Sequence, residues 1–215
     1  MLCAIAAAAS IRRLVALAHP SLDEAVPMAA ALDAVFVAKA ALTQSHVTAG
    51  LILALLIPVQ LSSRVRQRTP RVHRWIGRTL MAVGLFVGLS GYPMVAAPVG
   101  GALERAAIVT FATAFIVFLM RAWWRIRHGD VAGHREWILR ALAIVLGIAT
   151  TRPVVGVFFA TSTATGLTPA QFFGPAFWIG FTATALAGEW YVRRTRRQRV
   201  TDGDEERRGD TSRAV

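Results

Sequence analysis

The sequence predicts an all-α polytopic transmembrane bundle, with five clear spans, a candidate sixth at the N-terminus and an internal two-helix repeat. Three observations carry this. The 215 residues are 55% hydrophobic with mean hydropathy +0.50, more apolar than a soluble domain. Residues 47–63, 79–99, 106–120 and 153–188 contain no Asp, Glu, Lys or Arg. A helix needs roughly 20 apolar residues to cross a hydrocarbon core of about 30 Å, and at these lengths only a helix satisfies its own backbone in lipid. Finally, Arg64-Val65-Arg66, six residues, then His73-Arg74 recurs as Arg125-Ile126-Arg127, six residues, then His134-Arg135, at a constant offset of 61.

Residues 1–44 are ambiguous. Residues 1–18 are apolar but carry Arg12-Arg13, and residues 25–42 are apolar but carry Asp33 and Lys39, so either is a poorer sixth span. No basic region precedes the first apolar stretch, which argues against a cleavable signal peptide. The transmembrane bundle is expected over 45–192, with spans near 45–62, 77–99, 105–124, 138–160 and 172–192, and residues 161–169 as a loop rich in Thr and Ser. The repeat units are 45–99 and 105–160. Each is a helix, a short basic loop and a second helix, so the two run parallel, an arrangement that often places sites at the repeat interface. Residues 193–215, basic and then mixed in charge, are expected to form a disordered cytoplasmic tail.

The net charge of +12 is not spread evenly. Arg64 to Arg78, Arg121 to Arg140 and Arg193 to Arg199 form three clusters that alternating spans put on one side of the membrane. The opposite loops hold little charge. This is the positive-inside pattern of a bacterial cytoplasmic membrane protein with its C-terminus inside. Such clusters attract anionic headgroups at about 1 kcal/mol per residue, and that reading outweighs nucleic-acid binding. Cys3 is the single cysteine, so there is no intramolecular disulfide and no thiolate metal site. Phosphate-binding glycine loops, nucleophile elbows and zinc-protease motifs are absent, so the sequence leans away from an enzyme.

Several polar positions stand out. His73 and His134 open helices at the cytoplasmic boundary, in equivalent places of the two units. Neutral imidazoles from neighbouring spans are good metal ligands, and a b-type haem held by this pair is one concrete option. At about 100° per residue, His73, Gly77, Gly84, Gly88 and Gly91 fall within a sector of about 60°. That stripe reads first as close helix packing and second as a slot for a flat cofactor. His46 lies on the opposite side without an evident partner, whereas His19 and His128 read as solvated. On one straight helix, Arg152 would share the face of His134, about 27 Å away along the axis. Glu189 is the only acid in the apolar part of the last span, and a carboxylate in lipid needs a partner. Arg140 and Arg78 are the candidates.

These residues resemble a family of uncharacterised bacterial membrane proteins, domain of unknown function 2306, over roughly 45–192. The resemblance rests on His46-Val47, Gln60, Arg64, His73-Arg74-x-x-Gly77-Arg78, Arg121-Ala122-Trp123, Asp130 through Trp137, Arg152, Trp178 and Ala187-Gly188-Glu189. The chain departs from the family pattern at Thr79-Leu80, where a tyrosine is usual, and at Gly180-Phe181, where a polar Asn is usual. The resemblance implies a six-span plan and brings no activity. Two functional readings follow. One is a non-enzymatic bundle that handles a small molecule or lipid, or that serves a partner subunit or a second copy of itself. The other is a haem-b redox protein using His73 and His134.

Overall fold

The computed structural model describes residues 1–19, 34–96 and 98–213, with residues 199–213 as backbone. Among the described residues the regular elements are all helical: α1 (Leu2–Ala18), α2 (Ala40–Leu61), α3 (Ser63–Arg68), α4 (Pro70–Met94), α5 (Gly101–Arg127), α6 (Val131–Val145), α7 (Gly147–Thr165) and α8 (Pro169–Arg213). The first half of the candidate span at 25–42, residues 25–33, falls outside the described residues.

Neighbouring helices close a ring: α1 packs on α2, α2 on α4, α4 on α5, α5 on α8, α8 on α7, and α7 back on α1. α6 wedges between α5 and α8. The N-terminal helix is thus part of the bundle.

Among the described residues three stretches are long and apolar enough to cross a membrane: Ala40–Leu61, Gly101–Arg127 and Val131–Thr165, the last being α6 and α7 taken together. That is fewer than the five expected. α4 is diluted by Arg78, Tyr92, Pro93 and four glycines, and the apolar part of α8 by Gln171, Pro175, glycines and threonines. α1, at 17 residues, is short and carries two arginines.

The core is built on α5. Ala107, Phe111, Phe115, Leu119 and Ala122 are buried at intervals of three and four residues, a single helical stripe. Ala141 and Ile144 of α6 complete the cluster, with Met81 and Leu85 of α4 and Phe177, Phe181 and Ala185 of α8 against it. Phe111 stacks on Phe181 at 4.9 Å between ring centroids and meets Trp178 edge-on at 5.5 Å.

Several boundaries differ from the sequence reading. α4 starts at Pro70, seven residues before the expected 77, because proline at the first helical position has its φ already set. α7 runs to Thr165, and the expected 161–169 loop shrinks to residues 166–168 behind Gly166, which takes φ +67°. The fourth span is not one straight helix. It breaks at Leu146, where the Ala149 amide bonds Leu146 O in a tight turn. Pro153 cannot donate to Ala149 O and crowds it. The shared face of His134 and Arg152 therefore does not hold. The tail expected to be disordered is helical to Arg213. Arg, Gln and Glu, strong helix formers, dominate this stretch, and Arg193 ties back to Glu189 one turn earlier at 2.7 Å.

Candidate functional site

The basic end of the bundle holds most of the polar side chains, and the two repeated motifs place them there differently. In the first copy α2 stops at Leu61, and Arg64 and Arg66 ride on the short α3 before Thr69 precedes α4. In the second, α5 carries Arg125 and Arg127 without a break. Gly129 then turns the chain at φ +77°, and Asp130 caps α6 by accepting from the Gly133 amide at 2.7 Å. Asp130 also accepts from Arg125 Nη1 at 2.9 Å. These two donors, the amide first, hold its carboxyl below the usual range.

His73 and His134 are each the fourth residue of their helices, and each backbone amide bonds the residue before its helix, Thr69 and Asp130. His134 Nδ1 donates to Ala122 O at 2.8 Å, which leaves Nε2 as the acceptor. His73 Nε2 lies 3.5 Å from Gln60 Nε2. His73 Nδ1 and Gln60 Oε1 are buried without a protein partner among the described residues. Burial first, and then the charges of Arg66 and His134, push the His73 imidazole below the usual histidine range.

The slot below His73 is filled. A Cβ on Gly84 would sit 3.3 Å from Leu119 and Phe115, and one on Gly88 would sit 2.7 Å from Ile116. The glycine stripe admits α5 and leaves no plate-shaped gap, so the packing reading stands and the slot reading falls. Among the described residues no three His, Cys, Asp or Glu side chains converge as a metal site.

The expected ion pair is present. Arg140 Nε donates to Glu189 Oε2 at 2.7 Å and Nη2 reaches Oε1 at 3.4 Å, while Arg193 Nε also donates to Oε1 at 2.7 Å. Glu136 lies 3.8 Å from Arg140 Nη1. Arg78, the other candidate partner, instead rests over Trp75 at 5.4 Å. His46 has a partner that the sequence did not reveal: its Nδ1 lies 2.7 Å from Ser90 Oγ on α4. Glu104, in the first turn of α5, is buried and accepts from the Gly100 amide at the start of that helix. Lys39 reaches across to Met94 O at 2.7 Å. Arg152 lies on α7, the helix that packs against α1 with its Arg12 and Arg13.

An opening lies between α5, α6 and α8. It is a groove of about 800 Å³. Phe111, Ala114, Phe118, Ile144, Ala185 and Leu186 form its inner wall. Its polar end is ringed by Arg125, Asp130, Glu136, Arg140, Glu189 and Arg196. From Thr110 to Arg125 it follows α5 for about 22 Å at 1.5 Å per residue, more than half of a hydrocarbon core of about 30 Å. Trp137 marks the change from apolar to charged. Phe118 packs on it at 5.4 Å, and the Arg121 and Arg140 guanidinium carbons each lie 4.9 Å from its ring centre.

No curated protein matches the chain, and no solved structure does. The family model described as "Predicted membrane protein (DUF2306)" matches residues 43–187, which cover nearly all of α2 through most of the apolar part of α8 and so include both histidines, Arg152 and the groove lining up to Leu186, with Glu189 and Arg196 beyond the matched range. The chain is a member of that family of predicted membrane proteins.

Proposed function

We propose that this chain is a six-crossing bundle of a bacterial cytoplasmic membrane that holds a membrane amphiphile in the α5–α6–α8 groove, acting by binding. The observation that carries this is the polarity gradient of that groove: an aromatic and aliphatic wall ending in a ring of charge. A headgroup belongs at the charged end and an acyl chain along the wall. The crossings would be α1, α2, α4, α5, α6 with α7, and α8, with both basic turns and the tail in the cytoplasm. The arginines on α3 and early α4 would sit against anionic lipid.

A phospholipid carrying a photoactivatable diazirine on its acyl chain tests the assignment in reconstituted vesicles. Crosslinks are expected on α5 and α8 peptides. Ala114→Phe, which fills the groove, should cut them about tenfold, the equivalent of about 1.4 kcal/mol. Crosslinks spread evenly over the helices and indifferent to Ala114→Phe would overturn the reading.

The second reading is a haem-b site at His73 and His134. Their shared register supports it, and the packed glycine stripe opposes it. A reduced-minus-oxidised absorption spectrum of protein expressed with haem supplied separates the two. A haem signal lost in both His73→Ala and His134→Ala would replace the amphiphile reading. A folded protein with no visible absorption retires the haem.

A further inference from the structure

We infer that the groove takes an anionic phosphate headgroup and that Arg196 is the residue that selects it; this rests on the reading that the groove holds an amphiphile. The charged end carries three carboxylates, Asp130, Glu136 and Glu189, and is lined with them by Arg125, Arg140 and Arg196. Arg193 joins this ring through its 2.7 Å bond to Glu189. Four arginines thus stand around three carboxylates, and the ring carries one cation in excess.

The acids are already taken up by donors from the protein. Asp130 accepts from the Gly133 amide at 2.7 Å and from Arg125 at 2.9 Å. Glu189 accepts from Arg140 on one oxygen and from Arg193 on the other, each at 2.7 Å. Glu136 lies in an ion pair with Arg140 at 3.8 Å. The donors are in surplus, since a guanidinium carries five N–H groups. Arg196 lines the opening and makes no hydrogen bond or ion pair among the described residues. It follows Glu189 by seven residues on α8, about 700° of helix, so the two share a face roughly 10 Å apart along the axis. Arg196 therefore stands at the cytoplasmic rim of the mouth. An ammonium arriving there finds every carboxylate held, whereas phosphate oxygens find an open guanidinium fork of matching geometry. The arginines on α3 attract anionic headgroups by charge alone. Arg196 does so at the end of an apolar wall, so the headgroup and acyl chain of one molecule reach their partners together.

Phosphatidylglycerol and phosphatidylethanolamine with identical diazirine-bearing acyl chains, each at the same trace fraction in phosphatidylcholine vesicles holding the full chain, test this. Crosslinks on the α5 and α8 peptides that line the groove are expected to favour phosphatidylglycerol about fivefold, the share of one arginine near a membrane surface. Arg196→Gln should bring that ratio close to one, and because Arg196 is exposed the variant keeps its fold. Arg66→Gln, on α3 and outside the groove, should leave the ratio unchanged. A ratio near one in the unaltered chain, one that Arg196→Gln does not lower, or one that Arg66→Gln lowers equally overturns the headgroup assignment; the amphiphile reading stands as long as Ala114→Phe still cuts the crosslinks. Displacement by soluble inorganic phosphate as effective as by unlabelled phosphatidylglycerol would assign the rim to a free anion and also overturns it. Crosslinks that are absent from these peptides, or indifferent to Ala114→Phe, overturn both.

Discussion

At Arg140 and Glu189 one arginine and one carboxylate meet on two oxygens, with a second arginine behind. Glu189→Gln is expected to lower stability by about 1–3 kcal/mol, read as a drop in Tm in detergent. A charge swap is a poor rescue here. It would set like charges one turn apart, 140 against Glu136 and 189 against Arg193, which costs stability. Glu189→Gln with Arg140→Gln is the better cycle, and its loss should fall short of the summed single losses by about 0.5–3 kcal/mol. His73 makes a second prediction. Its folded form resists protonation, so below its ordinary pKa of about 6.5 the unfolded chain binds more protons than the folded one. Stability from His73 is therefore complete above that pH and is lost as pH falls through it. His73→Gln should flatten the acid limb of a Tm-against-pH curve between about pH 7 and 5. The Glu189 pair was legible in the sequence because a carboxylate among apolar residues demands a cation, and few lie at its level. The His46–Ser90 contact was not, because it depends on the rotation of α2 against α4, which neither helix encodes alone.

The helices themselves were legible from charge-free runs, and their ends less so. Pro70 and Gly166 set two boundaries by backbone geometry, a weaker signal than hydropathy in this sequence. The break at Leu146 falls beside Gly147, within an apolar run that shows no change in hydropathy there. Small residues governed packing more than the sequence reading allowed. Gly180 lies against α7 so closely that a Cβ would meet Thr151 N and Cα at 2.7 and 2.8 Å. Gly180→Ala should destabilise by about 1–3 kcal/mol through overpacking against backbone. Gly156, also helical, has open space where a Cβ would go. Gly156→Ala should be neutral or stabilising by up to about 1 kcal/mol. Thermal unfolding of the pair compares them directly, and equal losses would mean that α7 and α8 do not pack as seen.

For the whole molecule, the proposed path of the chain follows from its basic ends. α3, the α5–α6 turn and the end of α8 carry the arginine clusters, and the proposed positive-inside topology puts all three in the cytoplasm. α2 must then enter from outside and finish inside at Leu61. α1 lies beside α2 and α7 and closes the ring, so a full crossing by α1 would run opposite to α2 and leave the N-terminal end inside. Its 17 residues reach about 26 Å at 1.5 Å each, and Arg12 and Arg13 lie toward the outer end, where long side chains can reach the interface. Cys3 reports on this without any engineering, since it is the only cysteine in the chain. In intact spheroplasts a membrane-impermeant maleimide should leave Cys3 unlabelled, and the same reagent should label it after permeabilisation. Labelling before permeabilisation would put Cys3 outside. α1 would then lie along the outer surface, and the bundle would have five crossings with the ring closed by an interfacial helix.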